Sequence, residues 1–264
     1  MLDRWRQLRV VIAGTGTGIG KTHVGCALLR CLRARGIPAV GLKPIETGLQ
    51  DDGATDQERL SLAADVGGPW DSGSSFHVKQ ASSGRGSGRQ PFHVQPSPYW
   101  FRPAVAPHIA ASDAGQRIDI GRVRSWILQV QGPDGLTAVI ETAGGLFTPI
   151  APGTVNFDLV LALEPALFLL VAPDRLGVLH EITVTLGLAA ARGRPVDAVA
   201  LSAPAAPDAS TGRNATELER LAIARIQAVF PRAPEISSAT GEAADILFAG
   251  LDLALTRPAD RHRA

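Results

Sequence analysis

The chain of 264 residues is nearly devoid of cysteine, with only Cys26 and Cys31. Five residues apart on what reads as a helix, they point to different faces, which excludes a disulfide or a metal pair and suits a reducing cytosol. An excess of either charge is missing too. Lys and Arg number 26 against 25 Asp and Glu, a net +1, so nothing calls for nucleic acid or an anionic membrane, and a small-molecule substrate fits better. Long apolar runs are also absent. Arg4, Arg6 and Arg9 precede only the short apolar stretch 10–13, which cannot form a signal-peptide core. The strongest run, 166–172, has strand length and cannot span a bilayer. These absences together make a cytoplasmic protein the expectation. No internal repeat occurs.

What is present suits one α/β domain over residues 1–264: 45% of residues are hydrophobic and 19% charged, enough to bury a sizeable core. Apolar blocks at 9–13, 40–42, 138–140, 167–171 and 199–201 are each followed by Gly, Pro or small polar residues and read as buried parallel strands. Between them lie helical patterns. Residues 21–35 carry Val24, Leu28 and Leu32 on one stripe and end in arginines before Gly36 and Pro38. Asn156 is expected to cap a helix over 157–163, and Asn214 with Glu217 one running through Ala228. The alternation predicts a P-loop NTPase-like, doubly wound, mainly parallel sheet with helices on both faces and ligands at the strands' carboxyl ends. Residues 67–98, rich in Ser, Gly and Gln, break the pattern and read as a mobile surface loop. His77 and His93 within it lack Cys or acidic partners at ligand spacing and read as surface groups.

The strongest local signal follows the first strand. Gly14-Thr15-Gly16-Thr17-Gly18-Ile19-Gly20-Lys21-Thr22 matches a phosphate loop one residue longer than usual between its glycines; counted from Thr15 it has the familiar length, with Thr in the first glycine's place. Either frame meets the physical demand, since glycines let N–H groups curl round phosphates at a helix's positive end. Lys21 would reach the β and γ phosphates and Thr22 would ligate Mg²⁺. His23 comes next and reads either as a neighbour of the nucleotide or as a plain helix-face residue. The loop does not by itself name a reaction, because this fold carries many.

Three further residues narrow the chemistry. Lys43, at the end of the second strand before Pro44, puts a second cation where charge builds during phosphoryl transfer. Glu141 closes the 138–140 strand before a Gly-Gly turn, where an acid is costly unless paired and where P-loop proteins hold the metal. Asp56, at a helix start, is accounted for by capping alone.

The whole set resembles the dethiobiotin synthetase family. The resemblance runs through the phosphate loop, Lys43-Pro44 with Thr47-Gly48, Ala106-Pro107-His108, Glu141 with Ala143-Gly144-Gly145 and Pro149, and Leu176-Gly177. It implies a homodimer that converts diaminopelargonic acid, CO2 and ATP to dethiobiotin, ADP and phosphate, with Mg²⁺. Lys21 and Lys43 would be catalytic, and Thr22, Asp56 and Glu141 would hold the metal. Gly18, Ile19, Gly20, Lys21, Thr22, His23, Asp56, Glu141, Thr142, Ala143 and Gly144 would contact the nucleotide. Thr17, Lys43, Thr47, Gly177 and His180 would contact the substrate, the last two through the partner subunit's loop.

Four positions depart from the family pattern: Gly16 replaces Asp, Thr142 replaces Gly, His180 replaces Asn, and residues 201–204 lack the Asn that reads the base. Thr142 adds a Cβ to a tight loop, and His180 makes carboxylate recognition pH-dependent. Two alternatives stand beside this reading: a related P-loop ligase with another substrate, and a nucleotide-dependent partition switch or a copy that binds ATP without turnover. Such switches carry an extra lysine near the start of the loop, and residues 13–20 contain none.

Overall fold

The computed structural model describes residues 2–49, 54–65, 96–132 and 135–256. The loop expected over 67–98, apart from its last three residues, and His77 and His93 lie outside the described residues.

After a 3-10 turn (Leu2–Trp5), β1 (Arg9–Gly14) leads through residues 15–20 into α1 (Lys21–Ala34) and then β2 (Ala39–Leu42). An excursion follows: β3 (Ile45–Thr47), α2 (Asp56–Asp65), β4 (Tyr99–Phe101), α3 (Pro107–Asp113) and α4 (Ile120–Gln131). The chain continues as β5 (Thr137–Glu141), β6 (Pro149–Ala151), β7 (Thr154–Val155), α5 (Asn156–Leu163), β8 (Leu167–Pro173) and α6 (Val178–Ala191). It closes with β9 (Ala198–Ser202), α7 (Asn214–Arg220), β10 (Ile226–Phe230) and α8 (Ser238–Leu255).

Six of these strands form one parallel sheet in the order β10-β9-β8-β1-β5-β2. Alternation along β1 sends Val10 and Ile12 to one face, against α1, α2 and α8, and Val11 and Ala13 to the other, against α3, α4 and α5. Both faces are therefore covered, which is why the strands read as continuous apolar runs rather than alternating ones. Ile12 and Leu28 are fully buried, and truncating either to Ala costs roughly 2–5 kcal/mol. The order reverses at β1: β5 and β2 lie to one side, β8, β9 and β10 to the other. The crossovers diverge above its carboxyl end and open a crevice there. No described helix is long and apolar enough to cross a membrane.

Three expected features come out differently. The helix read through Ala228 stops at Arg220; Ala222 adopts φ 54 just beyond it, and residues 226–230 pair with β9 as a strand. Asn214 is the first helical residue rather than the cap, and its amide donates to Asp174 Oδ1 at 2.7 Å. Asn156 likewise opens α5, with Val155 at the cap position, and donates to the carbonyls of Ala143 (2.5 Å) and Gly145 (2.9 Å). Both buried amides donate to acceptors outside their own helices, a carboxylate for Asn214 and backbone carbonyls for Asn156, because their donors have no water to turn to. Cys26 and Cys31 are free and buried in α1.

Candidate active site

The loop of residues 15–20 joins the central strand to α1. Gly18 and Gly20 take φ 69 and 95, a region that excludes most side chains, and a Cβ on Gly20 would fall 2.2 Å from Ser202 Oγ. Among the described residues no side chain caps α1, which leaves the N–H groups of its first turn able to bind an anion. Lys21 is buried and turns back on the loop, donating to Gly16 O at 2.7 Å. Burial pushes its pKa down to about 8 against the opposing pull of Glu141, with Lys43 lowering it further.

The β5–β6 connection packs on the carboxyl end of β1, just before this loop, with Thr142 N donating to Ile12 O (3.0 Å) and Leu146 N to Gly14 O (2.8 Å). Thr142 is buried without positive φ; the left-handed residue of the turn is Gly144, so the added Cβ at 142 is tolerated. Thr17 faces the same turn: a Cβ on Gly144 would sit 3.4 Å from its Oγ1.

Four charged or hydroxyl groups meet beside the loop. Glu141, 1% exposed, accepts through Oε1 from Thr22 Oγ1 (3.1 Å) and Lys43 Nζ (2.9 Å). Lys43 Nζ also pairs with Asp56. Lys43 itself is pinned through its backbone, since Gln57 Oε1 accepts its N–H (2.6 Å) and Ser97 Oγ donates to its carbonyl (2.6 Å). Burial works against the Lys43 ammonium, but Glu141 and Asp56 outweigh it and raise its pKa above the ordinary lysine value. Burial likewise opposes the Asp56 carboxylate, yet Lys43 holds its pKa below the usual range.

Capping does not explain Asp56. Thr55 and Glu58 form the reciprocal box of α2, and Glu46 on β3 accepts the Asp56 N–H at 2.7 Å. The Asp56 side chain is left free to face Lys43.

Among the described residues Glu141 Oε2 is buried without a partner, an arrangement that costs about 1–3 kcal/mol unless something fills it. A hydroxyl and two carboxylates are hard oxygen donors, and Mg²⁺ at phosphate sites takes only one or two carboxylates besides the phosphates. Thr22, Asp56 and Glu141 fit that requirement. Among the described residues, no group of three or more His, Cys, Asp or Glu gathers as a denser metal site would need.

A family model described as an AAA domain matches residues 8–240. The chain is 33% identical over 195 residues to the ATP-dependent dethiobiotin synthetase of Caulobacter vibrioides, covering 72% of this chain and 78% of that protein. To the one of Anaeromyxobacter dehalogenans it is 32% identical over 236 residues, covering 86% and 91%. The chain belongs to the dethiobiotin synthetase family. It is thereby an enzyme of the ligase class. A structural neighbour, the MinC:MinD cell division protein complex of Aquifex aeolicus, matches with TM-score 0.50 and 13% identity over 97% of this chain and 100% of that one. That likeness shows the P-loop NTPase-like α/β fold.

In this dethiobiotin synthetase-family chain the remaining expected residues occupy two flanks of the loop. Thr47 ends β3, paired in register with Phe101, and Gly48 turns the chain back with φ 81. Gly177 and His180 are exposed at the start of α6, whose Glu181 joins that helix to the phosphate loop by accepting from Thr15 Oγ1 at 2.8 Å. His23 lines a cavity of about 350 Å³ with Gly20, Ser202, Ala203 and residues 231–234, its ring edge-on to Phe230 at 6.1 Å. Burial lowers its pKa and favours the neutral imidazole. Sequence reasoning missed residues 231–234, together with Glu46, Gln57 and Ser97. Pro231 is the signal that was there: a proline at a strand's carboxyl end marks a binding loop once 226–230 is read as a strand. A wider hollow of about 470 Å³ between Glu219 and Arg225 holds none of the expected residues.

Proposed function

We propose that this enzyme makes dethiobiotin in biotin biosynthesis, closing a cyclic urea from diaminopelargonic acid and CO2 at the expense of ATP. One substrate amine takes up CO2 as a carbamate; a carbamate oxygen attacks the γ-phosphorus and ADP leaves. The second amine then displaces phosphate from the mixed anhydride and closes the ring. No protein nucleophile is needed, so the chemistry asks for positioned cations.

The observation that carries this reading is the meeting of Lys21, Thr22, Lys43, Asp56 and Glu141 at the carboxyl ends of β1, β2 and β5. Lys21, now folded onto Gly16 O, would swing to the β and γ phosphates, and Lys43 would hold the carbamate and γ-phosphate oxygens. Thr22, Asp56 and Glu141 would hold Mg²⁺, which when bound spreads phosphate charge. Residues 18–20 and the turn at Thr142, Ala143 and Gly144 would cradle the phosphates. The cavity at His23 would take the base, and Thr17 and Thr47 would contact the diamine.

The enzyme would act as a homodimer, with Gly177 and His180 of one protomer serving the substrate carboxylate of its partner. Exposed Val184 and Leu188, one turn apart on α6, support that arrangement, with Leu176 exposed just before the helix. The test is ADP formation by the purified protein with Mg²⁺ and bicarbonate. Turnover dependent on diaminopelargonic acid is expected; ATP hydrolysis indifferent to the diamine would refute the synthetase reading.

A further inference from the structure

A chain of ion pairs leads away from the candidate metal site. Asp56 pairs with Lys43 through Oδ2 and receives Arg59 Nη1 on Oδ1 at 3.3 Å. The other arm of the same guanidinium, Nη2, pairs with Glu235, which also accepts from Arg30 Nη1 at 3.0 Å. Glu235 directly follows Pro234, a wall of the cavity beside Gly20 and His23. Arg59 therefore ties the Asp56 side of the site to Glu235, 176 residues further along the chain from Arg59 itself. The Glu235 side chain is only 19% exposed, so the anchor is partly desolvated.

A lone ion pair at this exposure carries little energy. A planar fork that grips one carboxylate on each side does something else: it fixes where the Asp56 oxygens point. Asp56 sits on the first turn of α2, where its side chain serves no cap; Lys43 and Thr22 hold it from the site and Arg59 from the side away from it. We propose that Arg59 is a positioning residue, holding the Asp56 carboxylate toward the metal from an anchor on the loop that walls the nucleotide cavity. This rests on the reading of Asp56 as a metal ligand. A purely structural brace between α2 and residues 231–235 is the competing role.

The two separate by metal binding. Mn²⁺ is titrated into the full chain with excess ADP, and the free ion is followed by electron paramagnetic resonance. Arg59→Met and Glu235→Gln are each expected to weaken Mn²⁺ binding about tenfold, as loss of a group that orients a ligand does. Glu235→Gln breaks the same chain from its far end and leaves α2 untouched, so it stands in if Arg59→Met fails to fold. Arg59→Lys keeps the charge but has one nitrogen and cannot span both acids, so it is expected to lose most of the affinity as well. On an Asp56→Asn background Arg59→Met should add no more than about twofold, because its action passes through Asp56. Steady-state kinetics should show kcat falling with KM for the diamine unchanged. Wild-type Mn²⁺ affinity in Arg59→Met and Glu235→Gln, or the full factor repeated on Asp56→Asn, or full retention by Arg59→Lys, would overturn the proposal while leaving Asp56 a ligand. Wild-type affinity in Asp56→Asn alone would instead remove Asp56 from the metal site, and the assigned function would lose that residue too.

Discussion

Lys43 lies between two carboxylates, and its loss leaves the buried Glu141 without its cation while Asp56 keeps only Arg59. Lys43→Ala is expected both to slow turnover and to weaken the fold, because these ion pairs lose their cation. Breaking one side of a buried pair costs about 3–5 kcal/mol, and losing a cation that faces developing charge slows turnover by about 100-fold or more. Urea denaturation and single-turnover kinetics should both register the change, and unchanged kinetics would remove Lys43 from the mechanism. Asp208 offers a residue-scale test in pH. Its carboxylate accepts from the Ser210 hydroxyl and from the N–H groups of Leu176 and Ser210, which lowers its pKa to about 2. A group depressed in the fold stabilises above its unfolded value of about 3.9 and loses that contribution as pH falls through the folded value. Denaturation curves between pH 5 and pH 2 should therefore show a loss of stability that Asp208→Asn flattens.

At the scale of elements, the site depends on how β1 hands over to α1. Gly20 carries the left-handed turn and lies against Ser202 at the end of β9, so two elements distant in sequence touch at one Cα. Gly20→Ala is expected to cost about 1–3 kcal/mol in strain and to abolish tight nucleotide binding. Adding Ser202→Gly should relieve the clash but not the φ, so thermal stability recovers in part while calorimetric ADP binding stays weak. Full recovery of binding would show that the clash, and not the backbone angle, governs the loop. Elements also explain which readings succeeded. Residues 9–13, 138–140 and 167–171 were legible because strands covered on both faces write unbroken apolar runs. Residues 226–230 were not, because Ile, Ala and Val suit a helix or a strand and only pairing with β9 decides between them.

For the whole molecule, the exposed apolar residues on α6 carry the assembly expectation. Val184→Glu with Leu188→Glu should shift sedimentation from dimer to monomer and raise KM for the diamine while ADP binding persists; a wild-type sedimentation profile would move the interface off α6. The amino-acid order alone determined the alternating architecture, the phosphate loop with Lys21 and Thr22, and the placing of Lys43 and Glu141 at strand ends. These are local matters of periodicity, glycine spacing and chain reversal. It did not determine that Glu46 would receive the Asp56 N–H, that Asn156 and Asn214 would leave their caps for distant acceptors, or that Arg59 would reach Glu235. Those pairings join groups on different elements, from 10 to 176 residues apart, and they form because the packed sheet and its helices exclude water and leave each buried donor or charge with few partners within reach.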